Sequence, residues 1–324
     1  MKCTGKIYRV LIAAAFCVVL ASGCKGPEKV VSAYEEENYN KDIYRGPLFA
    51  ENLCTATTDI IPEGGVDPST VGSAGLFDVN RQTVDYACRI HERAYPASTT
   101  KIMTALVAIK NGDLSATVTV SPYADASNFA SDEKTCGIKG GDQLTLSDLM
   151  HGLMLESGND AAVAIAVHIA GSTEAFSQMM NEEAQRLMAT NTHFVNSNGL
   201  HDENHYTTAY DLYLIFNECI KHQEFVDIIN TKEYTATITA NSGAVRQENW
   251  AQTNFYAAGK AEAPTAATVI GGKTGTTDQA GNCLILLNKT PDESPYISIV
   301  MGAATKELLY QDMTALINGI PANE

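Results

Sequence analysis

The chain has 324 residues, of which 45% are hydrophobic and 19% are charged, and these proportions exclude a fully disordered or fibrous chain. Lys and Arg number 22 against 38 Asp and Glu, which gives a net charge of -16 at pH 7. A chain this acidic does not bind a phosphate backbone through bulk charge, so we expect no nucleic-acid partner.

Residues 1–23 have the pattern of a signal peptide. A basic start precedes an apolar run over residues 10–21, which is too short to span a bilayer. Small residues then precede Cys24, and this run resembles the lipobox of bacterial lipoproteins. The resemblance implies a lipid on Cys24 that holds the protein at the extracytoplasmic face of a bacterial membrane. The alternative is ordinary cleavage that leaves a soluble secreted protein.

The segment from Cys24 to residue 45 is acidic and lacks apolar periodicity, which predicts a solvated tether. We place the folded domain at residues 46–324. Five cysteines follow the tether, an odd number without metal-binding spacing. Export permits disulfides without requiring them, so their pairing stays open and free buried thiols are favoured. These cysteines are Cys54, Cys88, Cys136, Cys219 and Cys283.

The apolar pattern predicts strands at both ends of the domain and helices between them. Early elements are expected at 74–79 (strand), 83–88 (strand), 99–110 (helix) and 116–121 (strand). Further helices are expected at about 146–155, 160–170, 174–188 and 209–221. Later strands are expected at 233–239, 268–273, 283–287 and 296–301, before an amphipathic last helix. The simplest architecture is one sheet built from about 73–97 and 231–324, with a helical subdomain inserted at about 98–230.

The sequence Ser98-Thr99-Thr100-Lys101 places a hydroxyl and an amine on one face of a predicted helix start. A serine hydroxyl is a poor nucleophile until a base takes its proton, and a neutral lysine is such a base. The S-x-x-K pattern alone is weak, since residues 22–25 and 131–134 also have it. Only Ser98 begins a predicted helix, and we interpret residues 131–134 as an unrelated acidic loop.

Two further motifs follow in order. Ser157-x-Asn159 interrupts two predicted helices, and Lys273-Thr274-Gly275 ends a predicted strand. Burial and a nearby cation lower the pKa of a lysine, so Lys273 is the expected partner that keeps the base neutral. The combination S-x-x-K, S-x-N and K-T-G marks penicillin-interacting serine enzymes.

With these motifs, the chain resembles the serine-type D-Ala-D-Ala carboxypeptidases, the low-molecular-weight penicillin-binding proteins. The likeness runs over about residues 74–304. It includes residues 95–104, 156–162, 196–200, 205–212 and 272–277. It implies the α/β (α+β) fold of serine β-lactamases and DD-peptidases, in which helices flank an antiparallel sheet beside an inserted all-helical subdomain.

The resemblance also implies an activity, which is removal of the terminal D-Ala from peptidoglycan stem peptides. Ser98 would form an acyl-enzyme, Lys101 would take its proton, and Ser157 would relay a proton to the leaving amine. Backbone N–H groups of Ser98 and Thr276 would form the oxyanion hole. β-Lactams would acylate Ser98 as covalent inhibitors, and no cofactor is expected. The expected substrate-binding residues are Asn159, Lys273, Thr274, Gly275 and Thr276.

Two other functions stay open at this stage. A serine β-lactamase would share the acylation step but would need fast deacylation. A non-catalytic penicillin-binding sensor domain would be acylated and would need an effector. A metal site at His201 and His205 is not expected, because Asp202 replaces the glutamate of H-E-x-x-H and the segment is predicted to be a loop.

Overall fold

The computed structural model describes residues 52–321. Its strands in chain order are β1 (Ser73–Asp78), β2 (Thr83–Cys88), β3 (Thr117–Thr119), β4 (Gln143–Thr145), β5 (Glu233–Thr239), β6 (Val245–Ala251), β7 (Thr268–Thr277), β8 (Gly281–Lys289) and β9 (Pro295–Ala303). Its α-helices are α1 (Lys101–Asn111), α2 (Leu146–Leu155), α3 (Asn159–Ala170), α4 (Thr173–Arg186), α5 (Ala209–Cys219), α6 (Gln223–Asn230) and α7 (Lys306–Asn318).

The expected signal peptide at residues 1–23, the tether at 24–45 and the lipidation site Cys24 lie outside the described range. Within residues 52–321, no helix combines the length and the apolar character needed to cross a membrane.

Five strands form the main sheet in the order β2-β1-β9-β8-β7, and all neighbouring pairs are antiparallel. Strands from both ends of the domain therefore build one sheet, as the sequence predicts. The last helix, α7, covers one face of this sheet through an apolar stripe. The residues of this stripe, Leu309, Met313, Leu316 and the following Ile320, are buried. Strand β7 lies at an edge of the sheet, so one side of its backbone is not paired within that sheet.

Helix α1 is the central helix of the domain. Every residue from Lys101 to Ala108 is buried, which is the pattern of a helix that is enclosed on all sides. A lysine in this position loses its water, and burial of an amine is expensive unless it is neutral or hydrogen-bonded. The packing of α1 alone therefore disfavours the charged form of the Lys101 amine.

The inserted subdomain is not all-helical, which corrects the sequence-based expectation. Strands β3, β4, β5 and β6 form a second antiparallel sheet within it. Consequently β5, which we expected in the main sheet, belongs to this second sheet. The apolar alternation of these strands is weak in the sequence. Strands β3 and β4 have only three residues each, and β6 is mostly polar with Trp250 as its buried apolar residue.

Two segments pack where the sequence predicted nothing regular. Helix α6 is only eight residues long, and it buries Phe225, Ile228 and Ile229. The chain also packs well before β1, because the Cys54 backbone N–H donates to the Tyr213 hydroxyl at 2.8 Å. All five cysteines in the described part of the chain are free and buried, as favoured from the sequence.

Candidate active site

Ser98 lies in a short 3₁₀ helix, Ala97–Thr100, that leads directly into α1. Ala97 has φ of 48°, a left-handed conformation that alanine rarely adopts. Strain of this kind costs about 1–2 kcal/mol and persists where the surrounding structure imposes it. Gly199 packs directly against this turn, since a Cβ at Gly199 would overlap the Ala97 carbonyl oxygen. The turn therefore presents Ser98 at a position fixed by its neighbours.

The amine of Lys101 is fully enclosed and has three polar neighbours. Its Nζ lies 2.8 Å from Asn159 Oδ1 and 2.6 Å from the Asn198 carbonyl oxygen. Both atoms are acceptors only, so they take two N–H bonds from the amine. The third neighbour is Ser98 Oγ at 3.2 Å. A neutral amine that donates to the two acceptors turns its lone pair toward the Ser98 hydroxyl.

The electrostatic environment of Lys101 disfavours its charged form. Burial lowers the pKa of Lys101 well below that of an ordinary lysine, and the nearby Lys273 ammonium lowers it further. Lys273 is itself buried, which lowers its pKa to about 7. The expected interaction between the two lysines is therefore present, although desolvation contributes more than the neighbouring charge.

Ser157 and Asn159 lie in the connection between α2 and α3. Ser157 is buried with φ of 62°, so a second strained residue lies at the site. The Asn159 backbone N–H donates to the Lys134 carbonyl at 2.8 Å. Gly158 packs against the Cys136 thiol so closely that a Cβ would overlap the sulfur. Residues 134–136 therefore pack against the connection that carries Ser157 and Asn159 and help to fix its position.

Strand β7 brings Thr274, Gly275 and Thr276 to the nucleophile. A Cβ at Gly275 would stand 3.0 Å from the Ser98 backbone nitrogen, so glycine allows β7 to lie directly against the turn. Thr276 is exposed on the same strand. These contacts place the backbone of β7 and that of Ser98 side by side, the arrangement required for a shared oxyanion hole.

A cleft of about 420 Å³ opens at this point. It is lined by Ser98, Asp132, Lys134, Ser157, Thr253, Phe255, Thr274, Gly275, Thr276, Cys283, Lys306, Leu309 and Tyr310. One sequence-based interpretation changes as a result. Residues 131–134 are not an unrelated loop, because Asp132 and Lys134 line the cleft. Lys273 is buried, and the described residues that line the cleft do not include it, so its contact with the substrate stays a prediction.

Sequence reasoning missed several residues of the site. The Asn198 carbonyl binds Lys101, but a backbone acceptor leaves no signature in residue types. The hydrogen bond that the Asn159 side-chain oxygen accepts from Lys101 was not expected either, and the substrate-binding role of Asn159 stays a prediction. His205 is buried, and its Nε2 lies 2.7 Å from Thr100 Oγ1. Asn198 and His205 lie in two segments that carry the family resemblance, residues 196–200 and 205–212, and this was the feature of the sequence that could have indicated them.

The ring of His205 is held as a neutral tautomer. The Val195 backbone N–H donates to His205 Nδ1 at 3.1 Å, so the proton is on Nε2 and is donated to Thr100. Burial lowers the pKa of His205 from 6.5 to about 4. Through its hydrogen bond to Thr100, His205 helps to fix the residue that precedes Lys101. Both of its ring nitrogens have hydrogen-bond partners within the protein.

We expect His205 to make folding stability depend on pH. The unfolded chain protonates this histidine below pH 6.5, whereas the folded protein resists protonation down to about pH 4. The free energy of unfolding should thus fall by roughly 3 kcal/mol across this window. Urea titrations at several pH values should show a smaller fall for His205→Asn. The same substitution at the exposed His168 should leave the wild-type fall unchanged. An equal fall in all three proteins would contradict the prediction.

Comparisons with known proteins agree with this geometry. The family model described as D-alanyl-D-alanine carboxypeptidase, in the S11 peptidases, matches residues 66–305. The D-alanyl-D-alanine carboxypeptidase DacA of Haemophilus influenzae is 33% identical over 254 residues, covering 74% of this chain and 60% of the relative. DacF of Bacillus subtilis is 31% identical and is covered to 61% of its length, with 76% of this chain aligned. The chain thus spans about three fifths of these two relatives.

Solved structures are similar over most of the fold. The Streptomyces K15 DD-transpeptidase has a TM-score of 0.71 at 29% identity, with 82% of this chain and 98% of that chain covered. Penicillin binding protein 5 from Haemophilus influenzae has a TM-score of 0.68 at 30% identity, with 81% and 72% covered. The matching family model, the related sequences and the shared fold lead to one conclusion: the chain belongs to the D-alanyl-D-alanine carboxypeptidase family of S11 peptidases.

Proposed function

We propose that this protein is a serine D-Ala-D-Ala carboxypeptidase that removes the terminal D-Ala from peptidoglycan stem peptides. The observation that carries the proposal is the environment of Lys101. Two fixed acceptors use its N–H bonds, and burial beside Lys273 favours the neutral amine. A lysine held in this way is a base for the neighbouring hydroxyl of Ser98.

In the acylation step, Ser98 Oγ attacks the carbonyl carbon of the penultimate D-Ala while Lys101 Nζ takes the hydroxyl proton. Negative charge develops on the carbonyl oxygen, and the backbone N–H groups of Ser98 and Thr276 stabilise it. The C–N bond then breaks, and the proton held by Lys101 passes through the Ser157 hydroxyl to the amine of the leaving D-Ala, which leaves Lys101 neutral again. The products of this step are free D-Ala and an ester between Ser98 and the shortened peptide.

In the deacylation step, a water attacks the ester and Lys101 again accepts the proton. The peptide leaves with a new terminal carboxylate, and Ser98 regains its hydrogen. The edge position of β7 supports binding of the extended substrate as an added antiparallel strand. β-Lactams would follow the same first step, since their strained amide also presents a carbonyl to Ser98.

Turnover of two substrates tests the proposal. The purified protein should release D-Ala from diacetyl-Lys-D-Ala-D-Ala and should hydrolyse a chromogenic cephalosporin only slowly. Ser98→Ala should lose the first activity. Rapid hydrolysis of the cephalosporin without D-Ala release would identify a β-lactamase instead. Acylation without turnover of either compound would favour a sensor domain.

We further propose that residues 1–23 are removed on export and that a lipid on Cys24 holds the catalytic domain, residues 46–324, near the membrane. The prediction is that Cys24→Ser moves the protein from the membrane fraction to the soluble fraction. Its specific activity should not change, because the motifs of the site are remote in sequence from Cys24. Fractionation of cells that express either form is the measurement. A wild-type protein that is already wholly soluble would contradict lipidation.

A further inference from the structure

Thr253 lies opposite the K-T-G motif, although no sequence motif includes it. Its Oγ1 is 2.9 Å from Thr274 Oγ1, and both threonines line the cleft that contains Ser98. Thr253 follows strand β6 of the second sheet, whereas Thr274 belongs to β7 of the main sheet. The pair therefore brings two hydroxyls together from opposite walls of the site.

The position of Thr253 is fixed by its neighbours along the chain. Its backbone N–H donates to the Leu155 carbonyl at 3.2 Å, two residues before Ser157. The preceding Gln252 side chain donates to the carbonyls of Ile229 and Thr231 at 2.6 and 2.7 Å. These bonds hold the end of β6 on both sides. A hydroxyl on such a support is preorganised for a ligand, since little motion is lost on binding.

Two adjacent hydroxyls suit a carboxylate. In the mutual hydrogen bond, only one of the two protons lies between the oxygens. A carboxylate placed against the pair accepts both protons, and hydrogen bonds to a charged acceptor are about twice as strong as neutral ones. Lys273 lies next to Thr274 in the chain and is buried, so its positive field also favours a carboxylate at this position.

We propose that Thr253 and Thr274 together form a two-hydroxyl clamp for the C-terminal carboxylate of the substrate. The inference rests on the proposed carboxypeptidase function and makes Thr253 a specificity-determining residue. Two exposed lysines, Lys134 and Lys306, also line the cleft and are the competing carboxylate partners. The clamp differs from the two lysines because it recognises the geometry of the carboxylate. Binding of the carboxylate by exposed lysines should weaken with ionic strength, whereas binding by the two hydroxyls should not.

The test compares Thr253→Val, Thr253→Ser and wild type on a D-Ala-D-Ala peptide with a free carboxylate. Thr253→Val should lower kcat/KM by about 10- to 100-fold, mainly through KM, because the lost bond is to a charged group. Thr253→Ser should restore it to within about threefold. Thr235→Val is the matched control, since Thr235 also uses its hydroxyl on another side chain, that of Asn249, but on the exposed face of β5.

A purely structural role is separated by two readouts. If Thr253 only fastens the second sheet to β7, Thr253→Val will lower Tm and will reduce activity on the peptide acid and its C-terminal amide equally. Loss confined to the acid, at unchanged Tm, supports the clamp. A Thr253→Val variant within twofold of wild type would overturn it in favour of Lys134 or Lys306.

The same variants distinguish failure of the clamp from failure of the proposed function. If wild type releases no D-Ala, the carboxypeptidase proposal is wrong, but benzylpenicillin still carries a carboxylate next to its reactive amide. Its rate of acylation of Ser98 should then fall in Thr253→Val and recover in Thr253→Ser. Equal acylation rates in all three proteins would exclude the clamp independently of the natural substrate.

Discussion

Lys101→Met is expected to lower the rate of Ser98 acylation by about 10³- to 10⁴-fold. Methionine fills the buried space of the lysine stem but supplies no base, so the Ser98 hydroxyl keeps its proton. Acylation rates with benzylpenicillin, followed by intact mass, measure the effect directly. Lys221→Met is the control, because Lys221 pairs with Glu218 on the surface and its side chain is 62% exposed. Similar rates for the two variants would contradict the assignment of Lys101 as the base.

The pH dependence of the acylation rate is a second test of Lys101 as the base. Only the neutral amine accepts a proton, so the rate should fall when the pH drops below the pKa of Lys101. Lys273→Met removes the cation that lowers this pKa, and the acidic limb of the profile should therefore move to higher pH. A limb at unchanged pH in Lys273→Met would mean that the two lysines do not interact.

Gly199→Ala is expected to lower kcat/KM by at least about 100-fold, since a displacement of about 1 Å at a reacting group has this effect. The added methyl group would overlap the Ala97 carbonyl, and relief of the overlap requires movement of the turn that carries Ser98. Gly199 also has φ of 88°, where alanine is strained. Steady-state kinetics and Tm on the same preparation are the measurements.

Gly243→Ala is the matched control for the strain. Gly243 has φ of 84°, but a Cβ there would meet nothing within 4 Å. Both substitutions should lower stability by about 1 kcal/mol or more through the left-handed backbone. Only Gly199→Ala should reduce activity. Full activity in Gly199→Ala would show that the position of the Ala97 turn does not determine that of Ser98.

The local motifs allowed much of the site to be predicted from sequence. Ser98 and Lys101 are three residues apart at a helix start, so their proximity follows from helical geometry. The Ser157 and Lys273 motifs are short segments with a characteristic order. In the structure Ser98, Lys101, Ser157 and the K-T-G strand lie together. Their separation along the chain could not predict how close in space they are.

The parts that could not be predicted depend on contacts between remote segments. Asn198 binds Lys101 through a backbone carbonyl, and any residue type has one. Thr253 reaches the cleft because β6 ends beside α2. The second sheet that positions it has strands too short or too polar for periodicity to reveal. The burial of Lys273, which lowers its own pKa, also arises from tertiary packing.

The central claim is that Ser98 is the nucleophile of a carboxypeptidase and not of a β-lactamase, so that penicillin acylates Ser98 and the resulting penicilloyl ester is hydrolysed slowly. Incubation with benzylpenicillin, removal of free drug and measurement of the intact mass over time test it directly. We predict a shift equal to one penicilloyl group that persists for minutes or longer and is absent in Ser98→Ala. A shift retained in Ser98→Ala, or rapid return to the unmodified mass with steady consumption of drug, would contradict this account.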